Sequence, residues 1–173
     1  MQIKQIRNAT LKISYAGKTF LIDPYLEAKN KFGCFADIPG KPFLTADNVK
    51  NQIPAPICEL PEPKEKILEN VDYCLLTHIH PDHIDMNFAD GTVGALLDKN
   101  ISIIAQNEND AAVLKKSKFS DVKILSEDSI QIDKTHMDNM PHAKITRQQM
   151  RGLMAMRGIK NYFMPEDGEV LNF

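Results

Sequence analysis

The 173-residue chain predicts an α/β fold, on three observations. Apolar strands alternate with helical stretches after residue 62, the order that lays helices against a sheet. The chain opens with a strand of period two, in which Leu11, Ile13 and Tyr15 are separated by Lys12 and Ser14. A polar loop crowded with histidines follows directly on a short apolar run, the usual place for chemistry on such a scaffold. The length suggests one domain over 1–173. Apolar residues make up 43%, enough for a core, and a domain of this size buries roughly 70% of its unfolded-chain surface.

The elements follow in order. Residues 2–7 and 10–15 form strands, Ala16-Gly17-Lys18 a turn, and 19–22 the next strand, which Asp23-Pro24 stops. Residues 25–61 are rich in Pro, Gly, Asn and Lys and lack periodicity; they form a long excursion with at most a short helix. A helix over 62–70 leads into a strand over 71–76, and the histidine loop comes next. A helix is expected over 92–99 and a buried strand over 101–106. Asn107 caps a helix running to Lys116, followed by a strand over 122–125. Residues 126–142 are irregular. Thr146-Arg147-Gln148-Gln149 fits a capping box that opens a helix to about Arg157, ended by Gly158. Met150, Leu153 and Met154 give that helix a packing stripe. A short strand over 162–164, a turn at Glu166-Asp167-Gly168 and a strand over 169–173 close the chain.

Charge and cysteine usage exclude several classes. The net charge is -2, with no Lys/Arg cluster of the kind a nucleic acid or another polyanion would need. The densest basic spot, Lys115-Lys116-Ser117-Lys118, falls at a helix end, where cations suit the dipole. Cys34, Cys58 and Cys74 are odd in number and form no CxxC pair, which argues against a disulfide framework or a cysteine zinc site. Cys74 lies in an apolar run and reads as a small buried hydrophobe; Cys34 and Cys58 read as free thiols in loops. The start, Met1-Gln2-Ile3-Lys4, has no apolar signal region, and no apolar run is long enough to span a bilayer. The expectation is a soluble cytoplasmic protein.

The chemistry concentrates at His78-Ile79-His80-Pro81-Asp82-His83, where three histidines and an aspartate fall within six residues. Imidazole nitrogen and carboxylate oxygen are the donors of catalytic zinc. Side chains two apart on extended backbone point the same way, so His78 and His80 can grip one ion. Asp82 and His83, beyond the proline, are displaced and can grip a second. A bound ion lowers the pKa of its water from about 16 toward about 7 and so supplies a nucleophile. Asp23 has two readings: a carboxylate that orients a ligating histidine, or the start of an Asp-Pro turn. The remaining histidines, His136 and His142, lie in loop-like sequence and alone suggest only polar surface.

Thr77-His78-Ile79-His80-Pro81-Asp82-His83-Ile84-Asp85 resembles the T-H-x-H-x-D-H motif of metallo-β-lactamase-fold hydrolases. Leu21-Ile22-Asp23-Pro24, Gln106-Asn107-Glu108, His136-Met137-Asp138 with Thr146-Arg147, and Pro165-Glu166-Asp167-Gly168-Glu169 are similar to the L-ascorbate-6-phosphate-lactonase-like branch. The resemblance implies an αββα sandwich. It also implies that His136 closes the metal site with His78, His80, Asp82 and His83, and that His142 sits beside it. Asp82 and His83 would be the catalytic pair. Zinc is the implied cofactor, one ion or two, with manganese admitted by the same donors. The implied activity is hydrolysis of a small lactone or phosphorylated metabolite by a metal-activated water.

The chain departs from the family at one place. Between about 126 and 135 it lacks the long section that carries a further metal-binding histidine and a bridging aspartate. The expectations that follow are an incomplete second sheet, with self-association into a homo-oligomer to cover it, and an alternative identity as a shortened, inactive member that binds one ion or none.

Overall fold

The computed structural model of the chain describes residues 1–125, 151–152, 155–156 and 170–172. The strands are β1 (Gln2–Arg7), β2 (Thr10–Tyr15), β3 (Lys18–Ile22), β4 (Tyr73–Leu76), β5 (Met86–Asn87), β6 (Thr92–Val93), β7 (Ser102–Ala105), β8 (Asp121–Ile124) and β9 (Val170–Asn172). The helices are α1 (Asn48–Asn51), α2 (Lys64–Leu68) and α3 (Glu108–Lys116), with a 3-10 turn at Phe35–Asp37. Seven strands form one sheet in the order β8-β7-β4-β3-β2-β1-β9.

Two halves of this sheet follow two rules. The opening strands β1, β2 and β3 pair antiparallel through tight turns, and β9 adds antiparallel to the free edge of β1. From β3 onward the neighbours β4, β7 and β8 run parallel, which requires crossover connections. Helix α3 supplies one of them. Asn107 caps it by accepting from the Asp110 amide, Glu108 and Asp110 lie in its first turn, and Lys115 and Lys116 in its last. Its buried residues Ala111 and Leu114 pack with Leu26, Ile67, Cys74, Leu76, Ile84 and Ile103 in the main core.

The excursion between β3 and β4 builds a second core of its own from Phe35, Ile38, Phe43 and Ala55. Local knots hold it in shape. Buried Asn51 accepts from the Thr45 amide at 2.9 Å through Oδ1 and donates to the Thr45 carbonyl at 2.9 Å through Nδ2. The Phe32 amide donates to the Ala55 carbonyl, and the Phe35 amide to the Ile53 carbonyl.

One expectation is overturned. Residues 92–99 are not a helix: Thr92 and Val93 pair with Asn87 and Met86, and turns follow. Gly94 sits at φ +68, outside the helical region, and Asp85 ties the amides of Gly94 and Ala95 into a turn instead. The Gly94 amide donates to the Asp85 carbonyl at 2.9 Å, and the Ala95 amide donates to Asp85 Oδ2 at 2.6 Å. The expected helix over 62–70 is shorter, at Lys64–Leu68, because Glu69 leaves the helical region and Asn70 turns to φ +57.

The other strands through residue 125 and the Asn107-capped helix stand where the pattern put them. Residues 151–152 and 155–156 are helical, within the helix expected from Thr146. The irregular stretch over 126–142, the shortening between about 126 and 135, the capping box and the strand over 162–164 lie outside the described residues. Among the described residues, the only sheet besides the large one is the two-stranded ribbon of β5 and β6. No helix there is long and apolar enough to cross a membrane. Among the described residues no two cysteines are joined, and Cys74 is fully buried.

Candidate metal centre

The histidine loop leaves the carboxyl end of β4, beside the carboxyl end of its parallel neighbour β3. The register Ile22 opposite Leu75 brings Asp23 alongside Thr77. Asp23 is buried and adopts φ +44, a left-handed conformation that aspartate tolerates better than most residues. It is held there by its amide, which donates to the Leu75 carbonyl at 2.9 Å, and by the Thr10 hydroxyl, which donates to its carbonyl at 2.6 Å.

Asp23 organises the loop. Its Oδ1 accepts from the Thr77 amide at 2.8 Å, and its Oδ2 accepts from the Thr77 hydroxyl at 2.8 Å. Oδ2 also lies 2.8 Å from Nδ1 of His83. Of the two readings of Asp23, the one in which it orients a histidine matches this geometry. Past Pro81 the chain makes one turn, in which the amides of His83 and Ile84 donate to the His80 carbonyl at 3.0 and 3.3 Å. The turn folds Asp82 and His83 back into the protein, where both are almost fully buried.

The proton arrangement of the three imidazoles follows from Thr77. A hydroxyl has one proton to give. Thr77 gives it to Asp23, so it can only accept from Nδ1 of His78, 3.1 Å away, and of His83, 3.2 Å away. In the neutral ring, His78 therefore carries its proton on Nδ1. His83 does the same, with Nδ1 facing the Asp23 carboxylate. His80 is a third case, because its Nδ1 pairs with Asp82 Oδ1. All three rings are thus held through Nδ1. An imidazole fixed through one nitrogen and basic at the other is the arrangement of a metal-ligating histidine.

Distances define how far the donors converge. The ring centroids of His78 and His83 are 3.9 Å apart, those of His78 and His80 5.7 Å, and those of His80 and His83 6.4 Å. Asp82 Oδ2 lies 3.8 Å from His83 Nε2. Partial burial, and then the neighbouring His83, push the imidazole of His78 below its ordinary pKa, which favours its neutral, ligating form. Among the described residues no three His, Cys, Asp or Glu side chains converge as a finished metal cage. The pairing of Asp82 with His80 turns that carboxylate toward its neighbour. His136 lies outside the described residues, and so does His142. In donor chemistry the set of three Nδ1-held imidazoles and a buried carboxylate fits zinc or a similar divalent ion.

Two residues near the site escaped sequence reasoning. Arg7 is fully buried; Nη1 donates to the Cys58 carbonyl at 2.8 Å, and Nη2 to the carbonyls of Tyr25 at 3.2 Å and Glu27 at 2.6 Å. It thereby ties both ends of the excursion to β1, and a lone arginine at the end of a strand gives no hint of this. Phe43, from inside the excursion, meets the ring of His80 edge to face at 4.8 Å and 83°. Asp85, quoted within the motif, acts in the β5–β6 turn region, and its buried Oδ1 has no hydrogen-bond partner among the described residues. Burial raises its pKa. A cavity of about 510 Å³ lies at the amino ends of β4, β7 and β8, lined by residues that include Asp72, Ser102 and Asp121. It is at the opposite end of the sheet from the histidines and contains none of them.

No protein-family model matches the chain. The chain is similar to the UPF0173 protein YddR of Bacillus subtilis (strain 168), at 38% identity over 130 residues. That match takes in 75% of this chain and 45% of the relative, so the chain spans just under half of that protein's length. Two solved structures share its architecture. One is an isothiocyanate hydrolase from Delia radicum gut bacteria, with a TM-score of 0.78 and 21% identity, covering 100% of this chain and 99% of that one. The other is described as a possible metal-dependent hydrolase from Veillonella parvula, with a TM-score of 0.76 and 18% identity over the same shares of each chain. The fold is thus the mixed α/β type that the metallo-β-lactamase resemblance implied.

Proposed function

We propose that the chain is a metal-dependent hydrolase. More narrowly, it holds zinc through His78, His80, Asp82, His83 and His136 and hydrolyses a small lactone or phosphorylated metabolite. The observation that carries this reading is the common anchoring of three imidazoles through Nδ1, by Asp23, Thr77 and Asp82. A surface loop has no reason to fix three rings in the same sense. The names of the two similar structures, an isothiocyanate hydrolase and a possible metal-dependent hydrolase, support the reaction class.

Zinc held there would activate a water at neutral pH and polarise the bond to be cleaved. The chain's own residues supply the rest. Asp23 keeps His83 in one tautomer and one orientation, as a buried carboxylate does for a ligating histidine. Asp82, buried beside Nε2 of His83, would align the attacking water through its carboxylate. The Asp23, Asp82 and His83 side chains, each at 4% exposure or less, keep bulk solvent from competing for those contacts.

The Asp82–His80 pair also admits a second reading, in which a carboxylate engaged with its neighbour leaves fewer donors for metal, as in a chain that binds one ion or none and does no chemistry. Metal content per chain, measured on protein purified without chelator and on His80→Ala, separates the two. About one or two equivalents of zinc, lost in the variant, together with turnover of a lactone or phosphoester panel, supports the hydrolase. Absence of bound metal after zinc is restored leaves the second reading standing.

A further inference from the structure

The excursion over 25–61 reaches into the metal centre at one point. Phe43 is 1% exposed and lies between two rings. On one side Phe35 meets it edge to face at 5.7 Å and 85°. On the other side His80 meets it at 4.8 Å and 83°. Both geometries are those that aromatic rings prefer. The backbone around Phe43 is held as well: the Lys41 amide donates to the Ile38 carbonyl, and Thr45 is bound through its amide and carbonyl to the side chain of Asn51.

His80 needs such a contact more than His83 does. His83 is locked by burial and by Asp23. His80 has a side chain 33% exposed, and among the described residues its side chain's hydrogen bond is to Asp82, two residues away on the same loop. The terminal torsion of an imidazole is broad and roughly two-fold, so a hydrogen bond from a local, partly wet carboxylate does not by itself fix the ring plane. A ring packed at right angles fixes that plane, because a tilt would drive imidazole atoms into Phe43, and within the plane the Asp82 carboxylate selects the flip state that turns Nδ1 toward it.

We propose that Phe43 is the positioning residue of His80. The excursion, through this one aromatic ring, sets the plane of the imidazole, holds Nδ1 toward Asp82 and so presents Nε2 as the metal-binding nitrogen. The function of that presentation rests on the metal-centre reading above, whereas the ring orientation itself can be tested without metal.

The test uses the full chain as wild type, Phe43→Ala and Phe43→Leu, each checked for a cooperative thermal transition. Imidazole nitrogen–proton correlation spectra, recorded metal-free where the rings are neutral, report which nitrogen of His80 carries the proton. The wild type is expected to show His80 with its proton on Nδ1. Both variants are expected to shift His80 toward tautomer exchange while His83 stays unchanged. Zinc affinity, read by competition with a chromophoric chelator, is expected to fall about tenfold in the variants, the loss typical of removing support around a ligand. Phe43→Leu keeps the apolar volume and carries the test where Phe43→Ala does not fold. A His80 spectrum in Phe43→Leu identical to the wild type would overturn the proposal, even with zinc still bound. A wild type that takes up no zinc would remove the metal reading, and the tautomer spectra would still decide the role of Phe43.

Discussion

Asp23 and His83 are 60 residues apart in sequence and 2.8 Å apart in space, with both side chains at 4% exposure or less. The same carboxylate holds the Thr77 amide and hydroxyl, so one residue sets the root of the loop and the orientation of its last histidine. Asp23→Ala is expected to lower zinc affinity by about 10- to 100-fold. The orphaned amide, hydroxyl and imidazole should also cost stability, about 1–3 kcal/mol for each buried group left unsatisfied. Chelator competition and urea unfolding measure the two effects. An affinity within twofold of wild type would show that Asp23 does not support the site.

Arg7 serves the excursion rather than the chemistry. Its guanidinium donates to three carbonyls and lies 5.2 Å from the centre of the Tyr25 ring. Arg7→Met removes every donor and should destabilise the chain by about 3 kcal/mol or more. Arg7→Lys, with a point charge in place of a planar fork, should fall between the two. Equal denaturation midpoints for wild type and Arg7→Met would contradict this account.

Gly94 answers for the ribbon of β5 and β6. A Cβ built there would lie 2.6 Å from Cζ and 2.9 Å from Cε2 of Phe119, and φ is already +68. Gly94→Ala is therefore both strained and overpacked, at a combined cost of about 2–4 kcal/mol. A calorimetric melt would show it as a Tm lower by several degrees. An unchanged Tm would mean that Phe119 moves aside freely.

Cys74 gives the pH dependence. Burial pushes its thiol from the ordinary 9.0 up to about 12. Because the folded pKa is raised, the neutral thiol's contribution is fully present below about 9 and is lost as pH rises toward 12. Alkaline unfolding should therefore be steeper in wild type than in Cys74→Ala, which lacks the group. Under native conditions at neutral pH, a thiol reagent should modify Cys34 and Cys58 and spare Cys74. Rapid modification of all three would show that the core around Cys74 opens readily.

The sequence carried those features that depend on local pattern. Period-two alternation marked β2, Asn107 marked the start of α3, and the H-x-H-x-D-H spacing marked the loop whose imidazoles the structure brings together. What it hid depends on long-range placement. The run 92–99 looks helical by composition, yet Gly94 and the amide-capturing Asp85 turn it into a strand and turns. Asp23 could be read two ways until its parallel neighbour was known, because strand register is a property of the pair. Phe43 and Arg7 gave no signal, since an aromatic in a loop and a cation in a strand look ordinary until their partners are named.

The parallel pairing of β3 with β4 bears on how the molecule assembles. Asp23 meets Thr77 only after a stretch of more than fifty residues has closed on itself, and meets His83 only after a longer one. Contacts so distant along the chain are entropically costly to form and slow to nucleate. The histidine loop is therefore expected to take shape late, when the sheet centre zips up. An ion that grips it would act as a latch on the last step, slowing escape from the native basin far more than it hastens entry.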